Sequence, residues 1–387
     1  MKHLHQNRAV LIAALALCAA GSQAQLRGPS SSQDPYILPA AGRVETISII
    51  TVGDFVNLKP DGSPYYLVGI PDGMGAWSGG KGAFNLLVNH ELRGIQGTAR
   101  RHGEIGAFVS QWNIDSKTLR VVGGHDLIHT VNIVNGDGVL RRLCSADLAA
   151  QGAFYYPEGQ VGTEIKLFLN GEEDDDGRAF AHIVDGSLGG TSYELPLFGK
   201  QAWENVVACP TPQDKTLVIA IDDTTPGQVF AYIGTKQADG LPHEKAGLTN
   251  GSQWGIRVPN VVEESRETGL NGETRFELAE LGDVSGLSED ELNALCDTAG
   301  VTRFLRPEDG SWDPTSPNDF YFVTTDRFDN NEQEGRSRLY RLRFDDISNP
   351  GSGRRDRGAS RRHRRATDDG QHDDRQIWQC PHPRGSG

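Results

Sequence analysis

The sequence has few cysteines, few aromatic residues and no zinc-binding motif. It contains 5 cysteines and 2 methionines in 387 residues, and aromatic residues make up 7% of the chain. Outside the two ends, the cysteines are Cys144, Cys209 and Cys296, and their spacing matches no zinc framework. These thiols leave open one disulfide with a free thiol, and they indicate no catalytic cysteine.

Long apolar runs are also missing. No stretch after residue 24 approaches the roughly 18–20 apolar residues of a membrane-spanning helix. The chain starts with Lys2 and Arg8, continues with an apolar run over residues 9–20, and has small residues up to Ala24. A buried helix is the alternative, but this order is typical of a cleaved signal peptide. We therefore predict a signal peptide over residues 1–24 and a periplasmic or extracellular location.

Positive charge is scarce except at the C-terminal end. The net charge is −14 at pH 7, although residues 354–387 alone contain 9 arginines. Without that tail and the signal peptide, the body of the chain is more acidic still. Such a body repels nucleic acids and anionic membranes unless cations intervene. We therefore expect neither partner, and we expect a monomer that acts on a small molecule.

The arginine-rich tail, residues 351–387, has three interpretations. It could bind an anionic partner, it could be disordered, or it could result from a frameshift near Gly353. If the codons are read one base later, permissible codons encode strand-like segments that include NVLIQEDPG. Because that segment repeats a pattern of the body, we favour the frameshift.

Between the two ends we predict a flexible lead-in over residues 25–45 and one repeat-built domain over residues 46–350. Short apolar runs alternate with Gly, Pro, Asn and Asp, and the chain has 47 glycines, which favours an all-β fold. One helix is predicted where a capping box at Ser288–Glu291 precedes Leu292.

An internal repeat organises the domain. Four apolar segments end on a carboxylate: FNLLVNHE, EIKLFLNGEE, TLVIAIDD and DFYFVTTD. In each repeat a second strand follows after a glycine, with Phe or Tyr near its centre. A continuous apolar run such as LVIAI is buried on both faces, so we expect it to be the inner strand of a propeller blade. The repeat predicts a β-propeller of about five to six blades, incomplete at its C-terminal end if the reading frame shifts there.

Radial blades would bring the acidic strand ends together around the central channel. Calcium binds six to eight oxygen ligands, and a histidine nitrogen suits a transition metal. Each acidic residue could instead form a solvated turn, which we expect for Asp174–Asp176. The predicted metal ligands are His90, Glu91, Glu172, Glu173, Glu204, Asp222, Asp223, Glu308, Asp309 and Asp326.

Other ionisable residues carry a weaker signal. Arginine can clamp a phosphate through two hydrogen bonds or form a salt bridge. The arginines to which both alternatives apply are Arg306, Arg93 and Arg178. The histidines without a spaced partner, expected at the surface or in packing, are His102, His125, His129 and His182. No nucleophile elbow, phosphate-binding loop or dinucleotide fingerprint occurs.

The motifs LLVNHEL, FLNGEED, AWENVV, VIAIDDTTPGQVFAYIG and RPEDG resemble the PhoX-type alkaline phosphatases, a family of secreted β-propellers. The resemblance covers most of residues 50–345. It implies a channel site with calcium and iron that hydrolyses phosphomonoesters. It implies metal ligation by Glu204 and Glu308, with Glu91 and one of Glu172 or Glu173, and a nearby Asp222 or Asp223. Arg306, Glu204 and Glu308 are the residues expected to carry catalysis.

The sequence departs from this family at the first strand end. The family has a cysteine beside the acidic residue there, and that thiol bridges the irons, whereas Val88–Glu91 contains none. His90 could replace it as a ligand, and a calcium-only site is open. The main hypothesis is therefore a secreted, metal-dependent phosphomonoesterase. The alternatives are a calcium-dependent propeller hydrolase of another type, such as a phytase or lactonase, and a non-catalytic, calcium-stabilised binding module.

Overall fold

The computed structural model describes residues 24–39, 44–134, 136–270, 274–329, 332–350 and 376–379. Apart from Ala24, the predicted signal peptide lies outside these residues. So does the arginine-rich tail, except for the short strand at 376–379. Among the described residues, no helix is long and apolar enough to cross a membrane.

Four sheets, antiparallel except for one parallel edge pair in blade 2, are arranged around a central channel as the blades of a β-propeller. The all-β propeller prediction is confirmed. The described residues form four blades, where the repeat predicted about five to six. From blade 1 through blade 4, the strand at one edge of each sheet contacts the corresponding strand of the next blade, which makes these strands the innermost ones.

The N-terminal strands lie outside the four blades. They are β1 (Ala24–Arg27), β2 (Glu45–Ser48), β3 (Phe55–Leu58) and β4 (Pro64–Tyr66). β1 pairs with β2 in parallel, at either end of the predicted lead-in, and β3 and β4 form a hairpin. Tyr65 and Leu67 pack with Trp112 and Ile114, so this hairpin covers one face of the first blade.

Blade 1 is a simple meander. Its strands are β5 (Pro71–Gly80), β6 (Ala83–His90), β7 (Phe108–Asp115) and β8 (Val121–Asp126). Blade 2 has five strands, in the order β10-β13-β14-β15-β9. They are β9 (Thr130–Asn132), β10 (Leu143–Leu148), β13 (Leu167–Glu172), β14 (Ala179–Ile183) and β15 (Thr191–Glu194). Between β10 and β13 lie α1 (Gln151–Phe154), β11 (Tyr155–Tyr156) and β12 (Val161–Gly162).

Blade 3 follows a 3₁₀ turn at Pro196–Phe198. Its strands are β16 (Trp203–Ala208), β17 (Lys215–Asp222), β18 (Gly227–Thr235), β19 (Ser252–Arg257) and β21 (Glu277–Gly282). Short elements interrupt or extend it: α2 (Pro242–Lys245), β20 (Thr274–Arg275), α3 (Glu289–Ala299) and β22 (Arg303–Phe304). Blade 4 has the order β23-β24-β27-β28, and β20 adds to its outer edge. The remaining strands are β23 (Pro307–Trp312), β24 (Asp319–Thr324), β25 (Phe328–Asp329), β26 (Glu332–Gln333), β27 (Arg338–Arg343) and β28 (Gln376–Gln379).

The apolar runs of the repeat form the second strand of each blade, which corrects their prediction as inner strands. β17 shows the reason, because Leu217 to Ile221 alternate between two cores. Val218 and Ala220 face blade 2, and Ile219 and Ile221 face blade 4. A second strand is therefore covered on both faces by neighbouring blades, while the innermost strand borders the channel and carries polar residues.

The predicted helix is present, and the structure decides the state of the cysteines, which the sequence left open. Ser288 caps α3 through the N–H of Glu291, whose carboxylate accepts the N–H of Ser288, and Gly300 ends the helix in the left-handed conformation. The capping-box prediction is confirmed. The three described cysteines are free and buried, so no disulfide forms among them.

Candidate metal centre

Each blade repeats one arrangement where its first two strands meet. The first residue of the innermost strand pairs with the last residue of the second strand. These pairs are Pro71 with His90, Leu143 with Glu172, Trp203 with Asp222 and Pro307 with Thr324. In every blade the innermost strand then carries one extra residue, a β-bulge. A bulge re-aims the side chains beside it, and here it turns them toward the channel.

Two positions of this repeat supply the polar groups of the channel. The second residue of the innermost strand is Asp72, Cys144, Glu204 or Glu308. The residue directly after the second strand is Glu91, Glu173, Asp223 or Thr325. Its N–H always donates to the carbonyl of the residue that precedes the innermost strand, at 2.8–3.0 Å. One backbone geometry, used four times, thus builds the site.

Seven of these side chains form a single cluster, which we call the channel cluster. Their potential ligand atoms fall into three groups, and within each group all atoms lie within 4.8 Å of one another. The groups are Asp72–Glu91–Cys144, Cys144–Glu173–Glu204 and Glu204–Asp223–Glu308. Cys144 and Glu204 each belong to two groups, so the thiol and one carboxylate link three adjoining sites.

Two guanidinium groups lie within the cluster. Arg142 donates to Glu91 at 2.7 and 3.0 Å and contacts Glu173 at 2.7 Å. Arg306 contacts Asp223 at 2.7 and 2.9 Å and Glu308 at 3.0 Å. Two positive charges therefore face six carboxyl groups, and full ionisation leaves a negative excess that cations would neutralise.

The ionisation of the cluster reflects burial and crowding. Burial raises the pKa of Glu204 to about 9, with Asp223, Asp309 and Glu308 adding to the effect, while a hydrogen bond from the Cys144 thiol opposes it. Burial likewise raises the pKa of Asp223 to about 7, against the opposing effect of Arg306. The pKa of the Cys144 thiol is raised by burial and by the carboxylates around it. Carboxylates held this way favour bound cations.

A buried chain of amides holds the strand that carries Cys144. Asn89 Nδ2 donates to the Cys144 carbonyl at 2.7 Å, and Asn170 Nδ2 donates to Asn89 Oδ1 at 3.0 Å. His182 Nε2 lies 2.8 Å from Asn170 Oδ1, and its Nδ1 lies 2.6 Å from Ser192 Oγ. Because Asn170 Oδ1 can only accept, His182 carries its proton on Nε2 and accepts the Ser192 hydroxyl. Every member has a defined donor or acceptor role.

The structure brings Glu91, Glu173, Glu204, Asp223 and Glu308 together, as predicted. Asp309 lies beside them: it raises the pKa of Asp72, Glu204 and Glu308, and it accepts from Asn205 Nδ2 at 3.0 Å. Arg306 pairs with Asp223 and Glu308 of the cluster, and its role in catalysis stays a prediction.

Four predicted ligands do not reach the cluster, and alternation along a strand explains three of them. His90, Glu172 and Asp222 are the last residues of their strands, so their side chains point away from the side used by the next residue. His90 Nδ1 donates to the Val68 carbonyl, its Nε2 lies 2.8 Å from Ser110 Oγ, and burial lowers its pKa to about 4.

Glu172, Asp222 and Asp326 have hydrogen-bonding partners of their own. Glu172 accepts from Arg178 Nε and Nη2 at 2.7 and 2.8 Å, so Arg178 forms a salt bridge and not a phosphate clamp. Asp222 accepts from Thr224 Oγ1 at 2.8 Å and from the N–H of Gln228 at 3.2 Å. Asp326 is bound by Arg266 at 2.6 and 2.9 Å, and Thr325 takes the repeat position in its place.

The remaining weaker candidates lie elsewhere. Arg93 and His125 are exposed at the surface, whereas His182 is buried in the core. Of the acidic loop, Asp175 and Asp176 are exposed. Asp176 Oδ1 accepts the N–H of Glu289, and Glu289 Oε2 accepts the N–H of Asp176.

Three residues of the site were missed from the sequence: Asp72, Cys144 and Arg142. The resemblance implies a thiol beside Glu91, where this chain has none. The thiol of the channel cluster is that of Cys144, on the innermost strand of the next blade. The signal was present in AWENVV and RPEDG, which identify the second residue of the innermost strand in blades 3 and 4. The same position in blades 1 and 2 falls in PDG and LCS.

Of the comparisons with known proteins, the one with solved structures finds similar chains. No protein-family model matches the chain, and no curated protein matches it. Among solved structures, the chain is similar to Pseudomonas fluorescens PhoX in complex with vanadate, a transition state analogue. The identity is 14% and the TM-score is 0.42, over 72% of this chain and 64% of that chain. The match therefore spans less than two thirds of the length of that protein.

Proposed function

We propose that this protein is a secreted, metal-dependent phosphatase that hydrolyses phosphomonoesters in the propeller channel. The proposal is supported by the channel cluster, in which six carboxyl groups and a thiol converge from all four blades. A solvated surface would not explain why buried carboxylates share a space in which burial and crowding raise the pKa values of Glu204 and Asp223.

The donor set fits divalent cations. The group of Glu204, Asp223 and Glu308 offers oxygen atoms only, which suits calcium. The two groups that share Cys144 add a sulfur atom, which favours a softer transition metal such as iron. Bound cations supply Lewis-acid chemistry, because they draw charge from the phosphoryl oxygens and stabilise the leaving oxygen.

The chain's own groups would orient the substrate. Arg306 presents a planar guanidinium, which matches two phosphate oxygens. Thr325 Oγ1 donates to Glu308 Oε1 at 2.6 Å, and the Cys144 thiol hydrogen-bonds Glu204, so these carboxylates are fixed before any ligand binds. Prepositioned groups of this kind lower the reorganisation needed in the transition state.

Elemental analysis combined with hydrolysis of p-nitrophenyl phosphate tests the proposal. We expect calcium, with a transition metal at the Cys144 groups, and hydrolysis that chelation abolishes. Glu308→Ala should lose at least about 100-fold in kcat/KM, since it removes a ligand and a partner of Arg306. Asp313→Ala is the matched control, because Asp313 is a half-buried carboxylate of the same blade that binds only Thr315 and Ser316 of its own turn.

The alternatives predict different results. Activity on phytate or lactones without activity on simple monoesters would identify another propeller hydrolase. Calcium binding without hydrolysis of any panel substrate would identify a binding module.

A further inference from the structure

The residue before the innermost strand is arginine in two of the four blades. This position is occupied by Ile70, Arg142, Ala202 and Arg306 in blades 1 to 4. Each of these residues accepts, through its carbonyl, the N–H of the residue that follows the second strand. Arg142 and Arg306 are therefore equivalent members of the repeat.

Both arginines share a backbone conformation that their counterparts lack. φ is +40° at Arg142 and +58° at Arg306, while Ile70 and Ala202 have no positive φ. The left-handed region is strained for a residue with a side chain, and such residues concentrate at ligand clamps. Glycine would relieve this strain, so the arginine side chain itself must serve the position.

The surroundings of the two guanidinium groups also match. Each joins two carboxylates of the channel cluster, and each side chain is 29% exposed. The arginines of purely internal salt bridges are different, since Arg178 is 7% and Arg338 is 6% exposed. Arg142 and Arg306 therefore contact the carboxylates of the channel cluster and remain partly accessible to solvent.

We propose that Arg142 is a second phosphate-binding arginine, paired with Arg306, and that the two select the dianionic phosphoryl group of a monoester over the monoanion of a diester. This inference rests on the proposed function. Cations bound to Glu91 and Glu173 would compete with Arg142 for the carboxylate oxygens. The guanidinium could then donate its hydrogen bonds to phosphate oxygens, which it binds in the same paired geometry.

Calorimetric titration of the calcium-loaded protein with inorganic phosphate, at a pH where the dianion predominates, tests the role of Arg142. Losing a charge-assisted pair of hydrogen bonds predicts that Arg142→Gln weakens phosphate binding by about 10- to 100-fold with the content of bound metals unchanged. Arg142→Lys should recover part of the affinity, because it keeps the charge but not the paired geometry. Arg141→Gln is the matched control: its side chain pairs with Asp137 outside the cluster, and it should bind phosphate like the wild type.

A second measurement addresses selectivity. The ratio of kcat/KM for p-nitrophenyl phosphate to that for bis-p-nitrophenyl phosphate should fall at least about tenfold in Arg142→Gln. If Arg306→Gln weakens phosphate binding and Arg142→Gln does not, the inference is wrong while the proposed function stands. The inference is also wrong if Arg142→Gln loses bound metal of either kind, because Arg142 would then only organise the carboxylates. If Arg142→Gln does not fold, Arg142→Lys decides alone: affinity equal to the wild type overturns the inference. Wild-type protein that binds no phosphate would refute both proposals.

Discussion

Glu172 and Glu173 are neighbours in sequence with opposite roles, which gives a sharp test of the site. Glu172 ends β13 and binds Arg178 through two hydrogen bonds, with the two side chains 2% and 7% exposed. Glu173 follows the strand and lies in the channel cluster. We expect Glu172→Gln to affect folding and Glu173→Gln to affect metal binding.

The magnitudes follow from what each change leaves behind. Removing one partner of a buried ion pair costs about 3–5 kcal/mol, and Glu172→Gln should fall toward the lower end because the amide oxygen still accepts one hydrogen bond. Glu173→Gln leaves Arg142 paired with Glu91 and relieves the repulsion between Glu173 and Glu91, so the free energy of unfolding without metal should fall by less than about 3 kcal/mol. Its affinity for the transition metal expected at the Cys144 groups should fall at least about tenfold, since even the loss of a supporting partner costs that much.

Urea unfolding in excess chelator measures the first quantity, and calorimetric titration with a divalent transition metal such as Fe²⁺ measures the second. The two variants serve as controls for each other, since they make the same chemical change one residue apart. If both variants lose metal affinity equally, or if Glu173→Gln is the less stable one without metal, the assignment of the two side chains is wrong.

Two further predictions concern metal removal and pH. Calcium at about 100 times its dissociation constant should stabilise the protein by about 2.7 kcal/mol relative to the chelated form. Scanning calorimetry measures this effect, and identical melting temperatures in calcium and in chelator would contradict the cation site. Burial lowers the pKa of His182 to about 3 from an ordinary 6.5, so the stability that this neutral histidine contributes is full above pH 6.5 and falls as the pH decreases toward 3. His182→Gln removes this titration. Urea unfolding at several pH values gives the difference in free energy of unfolding between wild type and variant, and this difference should shrink below pH 6.5. A difference independent of pH would show that His182 does not remain neutral.

The sequence alone determined the class of the fold. Continuous apolar runs with glycine punctuation can be buried only as strands between two layers, and four such runs predict a radial repeat. The glycines at the start of the third strands have a local reason as well. A Cβ at Gly177 or Gly227 would lie 2.1 or 2.2 Å from the carbonyl oxygen of Glu172 or Asp222. The capping box of α3 was equally readable, because Ser288 and Glu291 act within a single helical turn.

Tertiary structure decided which of the acidic residues meet. At a strand end, neighbouring residues point to opposite sides, and a shift of one residue exchanges Glu173 for Glu172 or Asp223 for Asp222. A one-residue bulge in each innermost strand sets that register, and no local pattern in the sequence marks it. Cys144 was missed for the same reason. It occupies the same position in its blade as Glu204 and Glu308, although it carries a thiol where they carry a carboxyl group. The sequence contains the acidic and thiol side chains, and the pairing of the strands determines which of them meet in the channel cluster.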